Sequence, residues 1–267
     1  RDMSNPNNRM FEEFLRFVDK IAPTWFVFEN VYGLTKFKNG EENIQNHIEN
    51  RFRDIGYTVK SKILYASDFG VPQRRNRLFI VGDRKGIDFE FPKEFDYSVS
   101  VDEAISDLPV LGNGEIQMKG EYTVPFEQAS PYAQLMRKKS KAPTQNIVSR
   151  NKDYVVERYK YIGQGENWSS IPDRLMENYA DKKRCHSGIY KRLIGGKPSV
   201  VISNYRKSML IHPHQDRGLS VREAARLQSF PDHFIFEGPV SYVQQQIGNA
   251  VPPLLAKAVM KKILTYK

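Results

Sequence analysis

The sequence predicts an α/β fold interrupted by an irregular insert, and three observations support this prediction. Helical and strand patterns alternate over residues 1–92. Residues 93–218 are rich in turns and basic side chains and show no steady hydrophobic period. Ordered helical patterns return over residues 219–267. Because alternating helices and strands indicate a sheet covered by helices, we expect an ordered core that the insert divides.

The first part of the chain is predicted to run helix, strand, helix, strand, strand. Apolar residues recur at helical spacing in "NRMFEEFLRFVDKI", and a strand follows in "WFVFEN". A second helix is predicted in "EENIQNHIENRFRDIG", where Gly56 marks its end. Two more strands are expected in "YTVKSKILYA" and "RRNRLFIVGD", on either side of the turn "SDFGVPQ".

The later part of the chain predicts one strand and two helices. The strand is "KPSVVISN", within the insert. The helix in "SVREAARLQSF" has Ser220 as a candidate N-cap and Glu223 three residues on, which is the capping-box pattern. A terminal helix is predicted in "GNAVPPLLAKAVMKKILTYK", with Pro252 and Pro253 in its first turn.

Composition indicates a globular protein with an anionic partner. The chain has 267 residues, of which 40% are hydrophobic and 27% charged. Its net charge of +10 favours binding to a polyanion such as nucleic acid. No apolar run approaches the ~20 residues of a membrane span. The single cysteine, Cys185, fits a reducing compartment such as the cytoplasm.

Polar residues directly follow a strand that is predicted to be buried. Glu29 and Asn30 come at the end of "WFVFEN". Ligands of open α/β sheets bind beyond the carboxyl ends of the strands. A carboxylate that is partly desolvated there has a raised pKa and can donate a proton. The alternative is a glutamate that caps the next helix or pairs with a surface lysine.

Two further segments are candidates for ligand binding. Gln73, Arg75 and Arg77 alternate along the start of a predicted strand, so we expect them to share one face. Such planar polar groups suit a phosphate or a base edge, although an edge strand decorated with arginines is the alternative. Gly248 and Asn249 precede a predicted helix N-terminus, where free N–H groups can hold a polar ligand. An ordinary helix start is the alternative there.

Four motifs together resemble those of the C5-cytosine DNA methyltransferases. "ENVYGL", "QRRNR", "REAARLQSFPDHF" and "QIGNAVPP" occur in the order and at roughly the spacing seen in that family. "NPNNRMFEEFLRFV" looks like the segment before the family's Glu-Asn-Val strand, with Asn7 where an arginine is more usual. The resemblance implies that residues 1–92 belong to a Rossmann-like, S-adenosylmethionine-dependent core and that residues 93–218 form a target-recognition domain. Residues 219–267 would return to the core, with the terminal helix on the cofactor-binding side.

The resemblance also implies a reaction on a cytosine that is flipped out of a specific duplex sequence. A cysteine thiolate attacks C6 of the ring, and Glu29 bonds N3, where charge arises. Carbon C5 takes the methyl group of S-adenosylmethionine, after which the C5 proton and the thiolate leave. Asn30 would hold this corner together, and Arg75 and Arg77 would support Glu29 and contact the cytosine O2 and the backbone.

The remaining site residues divide by expected role. The cofactor contacts expected from the resemblance are Asn249, Ala250 and Met10. The expected DNA-binding residues are Lys138, Lys139, Lys182, Lys183 and Arg184. The supporting residues are Gln73, Arg222 and Arg226, of which the two arginines would organise the recognition region.

The family's nucleophile lies in a Pro-Cys-Gln motif that this sequence does not contain. The resemblance therefore implies roughly the C-terminal two-thirds of such an enzyme, inactive alone and partnered by its N-terminal part or by a complementary subunit. We also expect the terminal helix of the lone chain to expose its apolar face. The face consists of Leu255, Ala258, Val259 and Ile263.

Alternatives remain for Cys185 and for the protein class. Basic neighbours lower a thiol pKa, so Cys185 is an alternative nucleophile, but its place in the insert favours a recognition-region cysteine near DNA phosphates. His212 and His214 could suggest a metal with Cys185, but no other spacing supports one, and we expect none.

A DNA-binding fragment without activity would show the same basic insert; the retained Glu29 argues against it. An RNA substrate is disfavoured because tRNA-modifying relatives have a much reduced insert.

Overall fold

A computed structural model of the chain describes residues 10–36, 38–39, 42–178, 187–203, 205–207 and 209–266. The α-helices are α1 Met10–Ile21, α2 Ile44–Asp54, α3 Val101–Ile105, α4 Pro131–Arg137, α5 Asp153–Tyr159, α6 Val221–Leu227, α7 Val240–Asn249 and α8 Pro253–Ile263. The strands are β1 Trp25–Val31, β2 Lys38–Asn39, β3 Glu42–Asn43, β4 Thr58–Tyr65, β5 Asn76–Asp83, β6 Ile116–Lys119 and β7 Thr144–Ile147. The predicted α/β class is confirmed. No helix within the described ranges is long and apolar enough to cross a membrane.

The chain divides into two compact units. The first unit contains the described residues up to Tyr65, the segment Asn76–Glu94 and the residues from Ala258 onward. The second unit contains Ala66–Arg75 and the described residues from Phe95 to Lys257. The domain boundaries expected at residues 92 and 218 stay a prediction.

The first unit is built on an antiparallel sheet with the described strand order β1-β5-β4. The central strand β5 is buried along nearly its whole length, whereas β1 alternates between buried and half-buried positions. Helices α1 and α2 cover the sheet. The apolar face predicted for α1 from the spacing of Met10, Phe14, Phe17, Val18 and Ile21 is largely wrong, because the helix buries Phe11, Leu15 and Val18 instead. The core side chains of these elements include Phe11, Leu15 and Val18 from α1, Ile44, Ile48 and Phe52 from α2, and Phe26 and Phe28 from β1.

A glycine in β5 makes room for an aromatic ring of β1. Gly82 pairs with Phe26 across the two strands. A Cβ atom at position 82 would lie 2.1 Å from Cε1 of Phe26, far inside van der Waals contact. The close packing of Phe26 on Phe52, with ring centroids 4.2 Å apart, therefore depends on glycine at this position.

The second unit is organised around helix α6, of which every residue is buried. Helices α3, α4 and α7 contribute apolar side chains to the same core. The predicted capping box at the start of α6 is confirmed, because Ser220 and Glu223 exchange side-chain and backbone hydrogen bonds. A smaller apolar cluster lies in the middle of the insert. Its members are Val155, Tyr159, Ile162, Ile171, Met176, Tyr190 and Ile211.

The strand predicted in "KPSVVISN" is wrong. Over its described residues, 197–203, the segment makes only an isolated parallel bridge between Ser199 and Gln73. Pro198 has no backbone N–H to donate to a ladder, and the peptide groups of Ile202 bind the side chains of Gln73 and Arg75 instead of a neighbouring strand. Ser199 and Ile202 are buried, whereas Val200 and Val201 are exposed, so the apolar β-branched residues here mark an irregular segment that is buried only in part.

The expected exposure of the terminal helix is also wrong. Leu255, Val259 and Ile263 of α8 are all buried, so this apolar face is covered within the chain itself. Helix α1 carries the exposed apolar residues instead. Its residues Met10, Phe17 and Ile21 are more than half exposed, at 61%, 53% and 69%.

Candidate active site

The end of strand β1 places a carboxylate beside a guanidinium. Glu29 pairs with Phe79 across the sheet, and Arg77 lies two residues from Phe79 on β5. Because side chains two residues apart on a strand share a face, Glu29 and Arg77 point to the same side. Arg77 Nε lies 2.8 Å from Glu29 Oε1. The antiparallel register therefore builds this ion pair directly.

The Glu29–Arg77 pair is shielded from solvent on the arginine side. The side chain of Arg77 is 10% exposed and that of Glu29 25% exposed. Burial lowers the pKa of Arg77, and the charge of Glu29 partly opposes that shift. Arg77 also donates to the carbonyl of Asn76 through Nη1. The alternative that Glu29 pairs with a surface lysine is wrong, because its partner is a largely buried arginine.

Asn30 shapes the end of the same strand. Its Oδ1 accepts the backbone N–H of Val31 at 2.8 Å. The strand ends at Val31, and a 3₁₀ turn, Tyr32–Lys36, follows at once. This local bond holds the backbone next to Glu29, and the expected supporting role of Asn30 stays a prediction.

Gln73 and Arg75 do not share a strand face with Arg77, and that prediction is wrong. Strand β5 begins only at Asn76, and both side chains are buried among the backbone groups of the second unit. Arg75 donates to the carbonyls of Ile202 and Gly248, at 3.0 and 2.8 Å. The alternation of polar residues extends past the true start of the strand, so periodicity alone places them incorrectly.

Gly248 and Asn249 do not lie directly before a helix start, because α8 begins only at Pro253, so the expected free N–H groups are not at this position. They are the last residues of α7, and Ala250 N donates to Gln246 O. The spacing of Val240, Val243 and Ile247 is a helical signal that the sequence interpretation missed. The side chain of Asn249 is exposed and Ala250 is half-buried.

Arg222 and Arg226 are fully buried in α6 and hold segments of the insert. Arg222 donates to the carbonyls of Thr144 and Phe234. Arg226 binds both Asp107 and Asp232, with nitrogen–oxygen distances of 2.6–2.8 Å for the shortest contacts. These contacts support the expected organising role, which stays a prediction. Both aspartates escaped the sequence interpretation, although Asp232 follows Arg226 closely in "REAARLQSFPD".

A second buried charge cluster lies at the start of α6. Arg217 makes two hydrogen bonds to the carboxylate of Glu223, at 2.7 and 2.9 Å. Burial alone raises the pKa of Glu223, but Arg217 outweighs it, so the net value is lowered to about 2. His212 Nε2 lies 3.7 Å from the same carboxylate. Burial lowers the pKa of His212 to about 4, although Glu223 opposes the shift.

We expect His212 to make folding sensitive to acid. Its pKa is about 4 in the folded chain against an ordinary 6.5, so the unfolded chain binds the proton first. The stability that neutral His212 allows is present above pH 6.5 and is lost as the pH falls toward 4. The difference between these two pKa values corresponds to about 3 kcal/mol. His212→Asn should remove this component of the free energy of unfolding while keeping an acceptor near the Nδ1 position.

The measurement is urea unfolding of both chains at several pH values between about 7 and 4, the range that spans the two pKa values. His214, Asp102 and Arg217 surround the ring, so only the difference between the two chains isolates its titration. His233→Asn, at an exposed position, serves as the control and should parallel the unaltered chain. Equal pH slopes for His212→Asn and the unaltered chain would contradict the assignment.

The expected DNA-binding residues fall into two groups. Lys138 and Lys139 follow α4, are both exposed and form no ion pair with any described residue. Lys182, Lys183 and Arg184 lie outside the described residues, as does Cys185. No group of three or more His, Cys, Asp or Glu side chains within the described part of the chain is placed to hold a metal ion.

Comparison with known proteins identifies the family. The model of the C-5 cytosine-specific DNA methylase family matches residues 1–265. The chain is 34% identical over 294 residues to the Type II methyltransferase M.DdeI of Desulfomicrobium norvegicum, with 100% of this chain and 69% of that protein covered. It is 35% identical to the Type II methyltransferase M1.HphI of Haemophilus parahaemolyticus, with 97% of this chain and 62% of that protein covered.

A solved structure shows the same fold. A candidate DNA modification methyltransferase encoded within an Escherichia coli prophage matches with a TM-score of 0.70 and 23% identity, over 98% of this chain and 74% of that one. The chain thus spans about two thirds of the length of the curated relatives it matches. The family resemblance inferred from the four motifs is confirmed. The chain belongs to the C-5 cytosine-specific DNA methylase family.

Proposed function

We propose that this chain is part of a DNA (cytosine-5)-methyltransferase that moves a methyl group from S-adenosylmethionine to C5 of a cytosine flipped out of a specific duplex sequence. The observation that carries the proposal is the Glu29–Arg77 pair at the end of β1. DNA binding alone does not require a carboxylate that a largely buried guanidinium holds in place. Cytosine N3 is a group that such a carboxyl can bond while the ring accumulates charge.

Arg77 acts as a positioning residue in this proposal. Its short contact to Oε1 fixes the carboxylate, and burial on β5 restricts its own side chain. A carboxyl held in one orientation can meet N3 without losing side-chain freedom in the transition state. Because the guanidinium of Arg77 is largely shielded from water, its attraction to the Glu29 carboxylate is stronger than that within a surface ion pair.

The residues proposed to contact the cofactor are available for that task. The exposed amide of Asn249 can exchange hydrogen bonds with a polar ligand group, and the backbone of Ala250 follows directly. Met10 presents an exposed apolar side chain at the start of α1. When bound, S-adenosylmethionine supplies a methyl group on a positively charged sulfur.

Lys138 and Lys139 are proposed to bind DNA phosphates and not bases. Changing both to alanine should weaken specific and non-specific duplex DNA about equally. It should also make the slope of log affinity against log salt less negative, by roughly 0.9 for each phosphate that is no longer neutralised. Binding isotherms at several salt concentrations measure both quantities. A change in the preferred sequence with an unaltered salt slope would show that the two lysines read bases.

Lys60 and Lys62 provide a matched control pair for this experiment. Both are half-exposed lysines on β4, and each pairs with an acidic side chain, Asp88 and Glu94 respectively. Their charges are compensated within the first unit. We expect the double change of Lys60 and Lys62 to alanine to leave the salt slope of DNA binding unchanged.

We further propose that a partner covers the free side of the first unit. Within the described residues, β1 pairs only with β5, so one edge of this apolar strand is open. Helix α1 also exposes Met10, Phe17 and Ile21. An open strand edge and an apolar stripe are features that another segment ordinarily covers. The proposed partner is the N-terminal part of the same enzyme or a complementary subunit, which would bring the nucleophilic cysteine.

The experiment that tests the function combines the chain with a fragment that bears the Pro-Cys-Gln motif. Labelled methyl transfer to duplex DNA should appear in the mixture and not with the chain alone. Activity of the lone chain that survives Cys185→Ser would overturn the proposal, because no other thiol is present in the sequence. Activity of the lone chain that this change abolishes would identify Cys185 as the nucleophile.

The names of similar proteins support a proposal about the biological role. Two of the most similar proteins are named Type II methyltransferases of bacteria. We propose the corresponding role here, in which methylation in the cytoplasm protects DNA beside a restriction enzyme.

A further inference from the structure

A buried hydrogen-bond network joins three distant segments of the second unit. Its side chains are Gln73, Arg75 and Gln228, which are all at most 1% exposed. Gln73 Nε2 donates to Gln228 Oε1 at 2.6 Å and to the carbonyl of Leu227 at 3.2 Å. Buried amides persist where each donor and acceptor has a partner, and this pair satisfies that condition through defined contacts.

One end of the network holds the backbone at Ile202. Gln73 Oε1 accepts the N–H of Ile202 at 3.0 Å, and Arg75 Nη1 donates to its carbonyl at 3.0 Å. Both backbone polar groups of one residue are thus bound by side chains from a single short segment. Two backbone bonds between that segment and Ser199 add to the attachment. The segment around Ile202, within the predicted recognition region, is fixed in place.

The other end of the network holds the C-terminal end of α7. Gln228 Nε2 donates to the carbonyls of Ile247 and Ala250, at 2.8 and 3.0 Å. Arg75 Nη2 donates to the carbonyl of Gly248. A Cβ atom at Gly248 would lie 1.9 Å from the carbonyl oxygen of Ser203, so the two segments touch through their backbones.

We infer that Gln73, Arg75 and Gln228 are positioning residues that couple the recognition segment around Ile202 to the C-terminal end of α7, residues 247–250. The inference rests on the proposed function, in which Asn249 and Ala250 contact the cofactor. A movement of the Ile202 backbone on DNA binding is transmitted through Gln73 to Gln228, and through Arg75 to Gly248. Arg75, the middle arginine of the "QRRNR" motif, then acts through backbone carbonyls and not by contact with the cytosine.

The chemistry of the amides makes the inference testable with nearly isosteric changes. Gln228 accepts one hydrogen bond and donates two. Gln228→Glu keeps the shape and the acceptor but has no donor for Ile247 and Ala250. Arg75→Lys keeps the charge, but a single ammonium group lacks the fork that reaches two carbonyls. Gln245→Glu, at an exposed position on α7, is the control.

The experiment measures the affinity of the intact enzyme for S-adenosylhomocysteine, the demethylated cofactor, with and without duplex DNA that contains its target. In the unaltered enzyme we expect DNA to change this affinity by about 10-fold, within the usual range of coupling between sites. In Gln228→Glu and in Arg75→Lys, we expect the change to fall below about 2-fold. Thermal unfolding of each variant, measured in parallel, shows whether it remains folded.

The outcomes separate this inference from the proposed function. Coupling that persists in a folded variant overturns the network while leaving methyl transfer intact. An unaltered enzyme that methylates DNA but shows no coupling also overturns it. An unaltered enzyme that binds neither ligand refutes the proposed function and, with it, the inference. If Gln228→Glu fails to fold, Arg75→Lys decides between the first two results.

Discussion

Glu29→Gln is expected to lower the single-turnover rate of methyl transfer by about 10²–10⁴-fold, the usual contribution of a general acid, while DNA affinity stays within a few-fold. The amide oxygen can still accept a hydrogen bond from Arg77, so the geometry at the end of β1 is kept. An amide has no carboxyl proton to supply at cytosine N3. The loss therefore falls on the chemical step and not on binding.

Glu42→Gln is the matched control for this prediction. Glu42 is a half-buried carboxylate of the same unit, and it bonds to His47 and Asn50. Its change to glutamine should leave the rate within a few-fold of the unaltered enzyme. The measurement is rapid-quench methyl transfer with enzyme in excess over DNA. A Glu29→Gln rate close to the unaltered rate would remove Glu29 from the chemistry.

Arg226→Leu is expected to destabilise the chain by about 3–5 kcal/mol, the usual cost of removing one partner of a buried ion pair. Arg226 and Asp232 are completely buried, and Asp107 is nearly so. Burial alone lowers the pKa of Arg226, but the two carboxylates outweigh it and the net pKa is raised. Leucine would leave both carboxylates buried without this cation.

Arg150→Leu is the control for the stability prediction. Arg150 is an exposed arginine of the same unit, and surface changes of this kind usually alter stability by less than about 0.5 kcal/mol. Urea unfolding gives the free energy for each variant. A loss below about 1 kcal/mol for Arg226→Leu, well under the usual cost, would mean that Arg137 and Tyr122 can replace the missing bonds, since they already contact the two aspartates.

Local pattern predicts the sheet and the Glu29 site because both depend on neighbouring residues. Apolar runs identify β1, β4 and β5, and the capping box identifies the start of α6. The position of Glu29 directly after the apolar run of β1 is also visible in the sequence. The antiparallel register that sets Arg77 beside it is a tertiary feature, but the order of the motifs is sufficient to associate the two residues.

Long-range partners cannot be read in the same way. Gln73 and Gln228 meet across 155 positions of sequence, and no spacing rule connects them. The segment around Ile202 looks like a strand because its residues are apolar and β-branched, yet side chains bind its backbone. The apolar face of α8 is a similar case, because Leu255 and Val259 are fully buried and the helical spacing does not show whether the chain supplies their cover.

We propose above all that this chain takes part in methyl transfer to C5 of cytosine. The most direct measurement is to incubate the reconstituted enzyme with methyl-labelled S-adenosylmethionine and duplex DNA, digest the DNA to nucleosides and locate the label. We expect label in 5-methylcytosine alone, and a strong reduction with Glu29→Gln. Label on an exocyclic amino group of cytosine or adenine would contradict it, as would DNA that binds tightly but stays unlabelled.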